Sequence, residues 1–206
     1  MSTVPSREET SASVAKSESI VASELLTIDS TRTIEYETSE GSGLVINAYN
    51  CGLRIVPPSF FNNEATIELH LDHNSLSSLP SEIGCFSMLR SLSLHDNQLT
   101  CIPESIGELR TLEQLRLDRN LLTFLPDSIV GCVSLQLLHL DGNLDLASLP
   151  ANLGDLLELS DLGIGNCSAL KCLPLSLGQL ENVSIWIYDP SFIFSSVILF
   201  PKSLKI

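Results

Sequence analysis

From Gly43 onward the apolar residues of this chain return in a fixed order. Rows started at Gly43, Thr66, Leu89, Leu112, Leu135, Leu159 and Val183 are separated by 23, 23, 23, 23, 24 and 24 residues. The fourth and sixth places of each row are apolar: Ile46 and Ala48, Leu69 and Leu71, Leu92 and Leu94, Leu115 and Leu117, Leu138 and Leu140, Leu162 and Ile164. Three places further on stand Cys51, Asn74, Asn97, Asn120, Asn143 and Cys167, followed by Leu53, Leu76, Leu99, Leu122, Leu146 and Leu170. An apolar residue then precedes proline in each of the first six rows, from Val56-Pro57 to Leu173-Pro174, and a last apolar place holds Phe60, Ile83, Ile106, Ile129, Leu153 and Leu177. Self-similarity at this period marks a solenoid.

Each half of the row has a physical reading. The apolar-polar-apolar alternation predicts a short strand with its apolar side chains turned inward, and one strand per row stacks in parallel at ~4.8 Å along one side. The proline holds the residue before it extended and keeps a helix from starting early, so the return path should be short 3₁₀ or helical turns. An inward asparagine offers two donors and an acceptor to the backbone of its own and the neighbouring turn, which predicts a ladder along the stack. At the two ends of that column a thiol, small but a weaker donor, replaces the amide.

Segments such as LRSLSLHDNQLTCIPESIGELRT (89–111) resemble the leucine-rich-repeat pattern LxxLxLxxNxLxxLPxxIGxLxx almost throughout. Their LPxxIGxL half is similar to that of the intracellular Ras-group repeat proteins. The resemblance spans residues 43–188 and implies an α/β solenoid. Its expected form is a curved right-handed superhelix with a parallel sheet on the concave face and short turns on the convex one. It further implies a protein-protein interaction scaffold or adaptor, in small-GTPase signalling if the Ras-group likeness extends that far. The alternative is a regulatory or inhibitory subunit of an enzyme such as a phosphatase.

Outside the repeats the texture changes. Residues 1–42 hold sixteen Ser/Thr and eight Asp/Glu and few large apolar side chains, a composition expected to stay disordered. Within it, Ile20, Val21, Leu25 and Leu26 fit one face of a short helix. Ile34 and Tyr36 alternate with polar neighbours like a strand, so a cap over the first repeat is expected near 31–42. Ser17 and Ser39 stand beside acidic residues, as phosphorylation targets or as part of an unmodified linker. The seventh row places Trp186 and Tyr188 at inward positions. Residues 189–206 are apolar, and Phe192, Phe194, Ile198 and Phe200 would either cover the last repeat or mark an abrupt end.

Charge narrows the partner. A net charge of -14 disfavours nucleic acid and anionic membranes and favours a protein with a basic surface. The tail is too short and interrupted to cross a bilayer. The N-terminus lacks an apolar signal core, and Ser2 excludes myristoylation, so the expected compartment is the cytoplasm. Six cysteines without metal-ligand spacing are then expected to be reduced and buried.

Between the apolar columns lie the concave positions, and all four histidines fall there. The candidate contact residues are His70, Asp72, His95, Asp96, Arg116, Asp118, Arg119, His139 and Asp141. The arginines would meet acidic side chains of a partner and Asp72, Asp118 and Asp141 basic ones. His95 between Asp72 and Asp118 invites a pH-sensitive spot or a weak cation site, but a strand face is expected to splay its side chains too widely for a metal. Neither a nucleophile with an orienting turn nor an enclosure from water is apparent, so neither a catalytic centre nor a cofactor is expected.

Overall fold

The computed structural model describes residues 33–38 and 43–187. Eight strands form one sheet in sequence order: β1 (Glu35–Thr38), β2 (Leu44–Asn47), β3 (Thr66–His70), β4 (Ser91–Ser93), β5 (Gln114–Arg116), β6 (Leu137–His139), β7 (Asp161–Gly163) and β8 (Ser184–Trp186). β1 runs antiparallel to β2, and every later pair is parallel. The register aligns Leu69, Leu92, Leu115, Leu138 and Leu162, the column read from the sequence. Ile34, just before β1, packs against the core while β1 itself is exposed. The helix expected around Ile20 to Leu26 and the lid expected from Phe192 to Phe200 lie outside the described residues.

Among the described residues the return path contains only 3₁₀ turns, such as Ser81–Cys85, Glu104–Glu108 and Asp127–Gly131. Proline in extended geometry stands immediately before each of these three, which is how the turn is delayed to its place in every repeat. The buried isoleucine of each turn, Ile83, Ile106 and Ile129, joins the Leu columns in one continuous core. Each such side chain contributes roughly 1.5–3 kcal/mol on burial. Glycine permits neighbouring turns to touch: a Cβ at Gly107 would lie 2.2 Å from the Ser128 carbonyl oxygen.

The asparagine ladder forms. Asn120 Nδ2 donates to the carbonyls of Leu94 (2.9 Å), Leu117 (3.0 Å) and Asp118 (3.2 Å), and its Oδ1 accepts the Leu99 amide of the preceding repeat (3.0 Å). Asn74, Asn97 and Asn143 likewise each accept an amide of the preceding repeat, from Leu53, Leu76 and Leu122. This geometry explains the two cysteines better than weak donation alone. Cys51 sits in the first repeat, where no earlier repeat supplies an amide. At Cys167 the amide in question belongs to Leu146, and the extra residue of that repeat lets it bond its own Asn143 carbonyl instead (3.2 Å). Both thiols still donate, Cys51 to Tyr49 O and Cys167 to Leu140 O. The thiol therefore appears where no acceptor is required.

Two readings need correction. β8 pairs Ile185, not Trp186, with Leu162, so Ile185 and Ile187 are buried and Trp186 faces outward. The row is one residue shorter between Val183 and its strand, because the chain follows the Ile-x-Ile alternation rather than the spacing. Three of the six cysteines, Cys85, Cys101 and Cys172, are exposed, since they stand at row positions that do not face the core. The extra residues after Asn143 and Cys167 form stacked turns, in which Ala169 donates to Leu144 O (3.0 Å) and the Leu144 side chain is exposed.

Candidate binding face

The chain leaves each of β2 to β7 through a left-handed residue. Asn50, His73, Asp96, Arg119, Gly142 and Asn166 all have φ between 51° and 76°. Asn, Asp, His and Gly tolerate that conformation best, so the eighth column is chosen partly by backbone geometry. The column's composition carries this preference alongside its place on the face. Arg119 is the one residue there without such tolerance.

The strands set out the candidate residues as follows. Arg116 ends β5 and is exposed, while His139 ends β6 with its Nε2 3.3 Å from Asp161 Oδ1. His70 ends β3, 3.1 Å from Glu68. Asp72 is withdrawn from the exposed set, being only 6% accessible. Its Oδ1 accepts both the Ser93 hydroxyl and the His95 backbone N–H, so its charge ties two repeats together. Asp141 has a similar structural duty, accepting the Gly165 N–H at 2.7 Å.

His73, His95, Asp96, Asp118, Arg119 and Asp141, with Gly142 and Asn166, line one open depression of about 510 Å³. Asp96 is its most crowded carboxylate. Its Oδ2 lies 3.5 Å from His73 Nε2, 3.6 Å from His95 Nδ1 and 3.4 Å from Arg119 Nη1. The His73 and His95 rings meet edge to face at 4.7 Å, with Tyr49 against His73 at 5.0 Å. Burial pushes the Asp141 carboxyl up to about 6, helped by its hydrogen bond with Asp118 and opposed by the Gly165 amide. Burial also lifts the Cys132 and Cys167 thiols to about 12, which makes them packing groups rather than nucleophiles.

A second, smaller notch joins His139, Asp141, Asp161, Gly163 and Trp186. Gly163 gives the Asp141 carboxylate its room here, since a Cβ at that position would push the carboxylate aside. Asp161 and Trp186 were not among the expected face residues. Asp161 occupies the third place of its row, a face position that carries no charge in most rows, and Trp186 was hidden by the register error. The expectation that a strand face splays potential ligands also fails. Two trios, His73–His95–Asp96 and Asp118–His139–Asp141, each bring their ligating atoms within 4.8 Å of one another.

Residues 87–144 match the family described as leucine rich repeat. No curated protein matches the chain. Among solved structures it is similar to a leucine-rich-repeat protein of Leptospira interrogans, with 24% identity and a TM-score of 0.52 over 68% of this chain and 53% of that one. It is also similar to the ectodomain of the plant membrane receptor kinase GASSHO1/SCHENGEN3 from Arabidopsis thaliana, a structure in complex with Casparian strip integrity factor 2. There identity is 27% and the TM-score 0.57, over 76% of this chain and 22% of that one. The Arabidopsis receptor kinase HAESA, in complex with the peptide hormone IDA and a co-receptor, gives 32% identity and a TM-score of 0.55 over 65% of this chain and 23% of that one. The chain spans about half the length of the first of these proteins and under a quarter of each plant receptor. The fold is the leucine-rich-repeat solenoid. Among the described residues no helix is long and apolar enough to cross a membrane.

Proposed function

We propose that this chain is a protein-binding module, a scaffold or adaptor, that takes its partner on the concave sheet. The carrying observation is the depression where Asp96, Asp118, Arg119 and Asp141 converge from successive repeats. The turns that follow successive parallel strands set the backbones carrying these groups about 5 Å apart, a spacing that suits several side chains of one partner segment. Two of the similar plant receptors are seen with a bound factor or peptide hormone, which supports a peptide or protein as occupant. The excess of carboxylate favours a partner with basic side chains, with Arg116 and Arg119 setting orientation. We place the chain in a reducing compartment such as the cytoplasm, where the exposed thiols of Cys85, Cys101 and Cys172 would stay reduced. A place in small-GTPase signalling is supported by the LPxxIGxL pattern and by that pattern alone.

The test is affinity capture from native lysate with the wild-type chain beside Arg116→Glu/Asp118→Lys. The expected result is loss of the captured proteins from the doubly reversed variant at unchanged circular dichroism. Equal recovery of the same proteins would move the contact surface away from the concave strip.

A further inference from the structure

We propose that His73, His95 and Asp96 form a binding site for a divalent transition-metal ion of the zinc class. This site stands independently of the partner reading above. A tetrahedral ion with bonds of ~2.0–2.1 Å sets its ligand atoms ~3.4 Å apart. The Asp96 Oδ2 to His73 Nε2 distance is 3.5 Å and that to His95 Nδ1 is 3.6 Å. These two edges therefore need only a few tenths of an ångström of adjustment, and all three ligand atoms already lie within 4.8 Å of one another.

The backbone explains why the side chains meet instead of splaying. His73 and Asp96 hold the same left-handed turn of consecutive repeats, with φ of 55° and 53°, and His95 directly precedes Asp96. The His95 backbone N–H is fastened to Asp72 Oδ1 at 3.0 Å, and the two imidazoles hold each other edge to face. Two imidazoles and one carboxylate are a donor set that suits zinc, cobalt(II) or nickel(II) rather than calcium or magnesium. Three protein ligands leave a fourth position for water.

Two other charged groups face the trio. Asp72 Oδ1 is 4.0 Å from His95 Nδ1 and adds negative charge beside the site. Arg119 Nη1, 3.4 Å from Asp96 Oδ2, opposes a cation, but its side chain is 74% accessible and is free to swing into solvent. Metal uptake should thus displace the guanidinium from Asp96, and removing that guanidinium should tighten the site.

Cobalt(II) titration of the full, tag-free chain tests the assignment, with the exposed thiols of Cys85, Cys101 and Cys172 alkylated beforehand so that they do not compete. The expected result is one saturable equivalent with the intense visible bands of a four-coordinate ion, displaced by zinc. Zinc should also shift the imidazole resonances of His73 and His95. His73→Asn, which keeps the left-handed turn, and His95→Gln should each weaken binding at least about tenfold. Arg119→Asn should strengthen it, and His139→Gln, in the neighbouring trio, should leave it unchanged. The proposal is overturned by the absence of saturable uptake, by a six-coordinate spectrum, or by binding that survives His73→Asn but not His139→Gln.

Discussion

The asparagine ladder makes the most quantitative demand on the structure. Asn120→Ala removes the only acceptor shown for the Leu99 amide and the donor shared by the Leu94, Leu117 and Asp118 carbonyls. The amide has two N–H hydrogens, so at most two of those three carbonyl bonds are strong at once. Leaving one buried amide unsatisfied costs ~1–3 kcal/mol, and each net bond lost to a carbonyl about 1 kcal/mol. The expected loss is therefore ~3–5 kcal/mol. Cys167→Ala gives the internal contrast. It deletes only weak thiol bonds, because Leu146 already donates to Asn143 O, and should cost no more than about 1 kcal/mol. Urea unfolding of both variants followed by circular dichroism, with exchange at the Leu99 amide as a site-specific reading, measures the difference. Equal losses in the two variants would refute the reasoning, since the position would then be governed by filling space and not by the acceptor.

Three further outcomes follow from the same geometry. Gly107→Ala forces a methyl to within 2.2 Å of the Ser128 carbonyl oxygen and should lower stability by ~1–3 kcal/mol, read as a drop in thermal midpoint; an unchanged midpoint would mean the turns are not in contact. Asp141 carries a raised carboxyl, so its stabilising contribution is fully present below the ordinary carboxylate range and lost as pH rises through about 6. Asp141→Asn should accordingly be more stable than wild type by about 1 kcal/mol at pH ~7.5, after allowing for partial exposure, with the gap closing towards pH ~4; a gap independent of pH would contradict it. Arg119→Asn relieves a left-handed arginine (φ 51°) and gives up only an exposed ion pair, so it should stabilise the metal-free chain by ~0.5–1 kcal/mol in urea unfolding, and a lowered midpoint would count against it.

The core was legible because each of its positions obeys a period: a Leu column must face one way for the repeats to stack, and Leu69, Leu92, Leu115 and Leu138 do. The register error at β8 shows the limit of counting. Val183 keeps its column, but the strand that follows is set by which alternating pair, Ile185 and Ile187, the core prefers to bury. The face was legible by position and not by role. Asp72 reads as a free charge until its Oδ1 is found holding the Ser93 hydroxyl and the His95 amide. His73 and Asp96 read as separate face residues until the left-handed turns bring them together. Such facts depend on where neighbouring repeats place their backbone, which no single row of the sequence contains.

The central claim is that a partner lies along the concave sheet, and photo-crosslinking reads it directly. A photoreactive phenylalanine analogue at Arg116 or His139, on strands β5 and β6, is compared with one at Met88 or Val133, exposed beside the 3₁₀ turns. The account predicts covalent capture of the same protein from both strand positions and from neither turn position. Capture from Met88 or Val133 alone would contradict it.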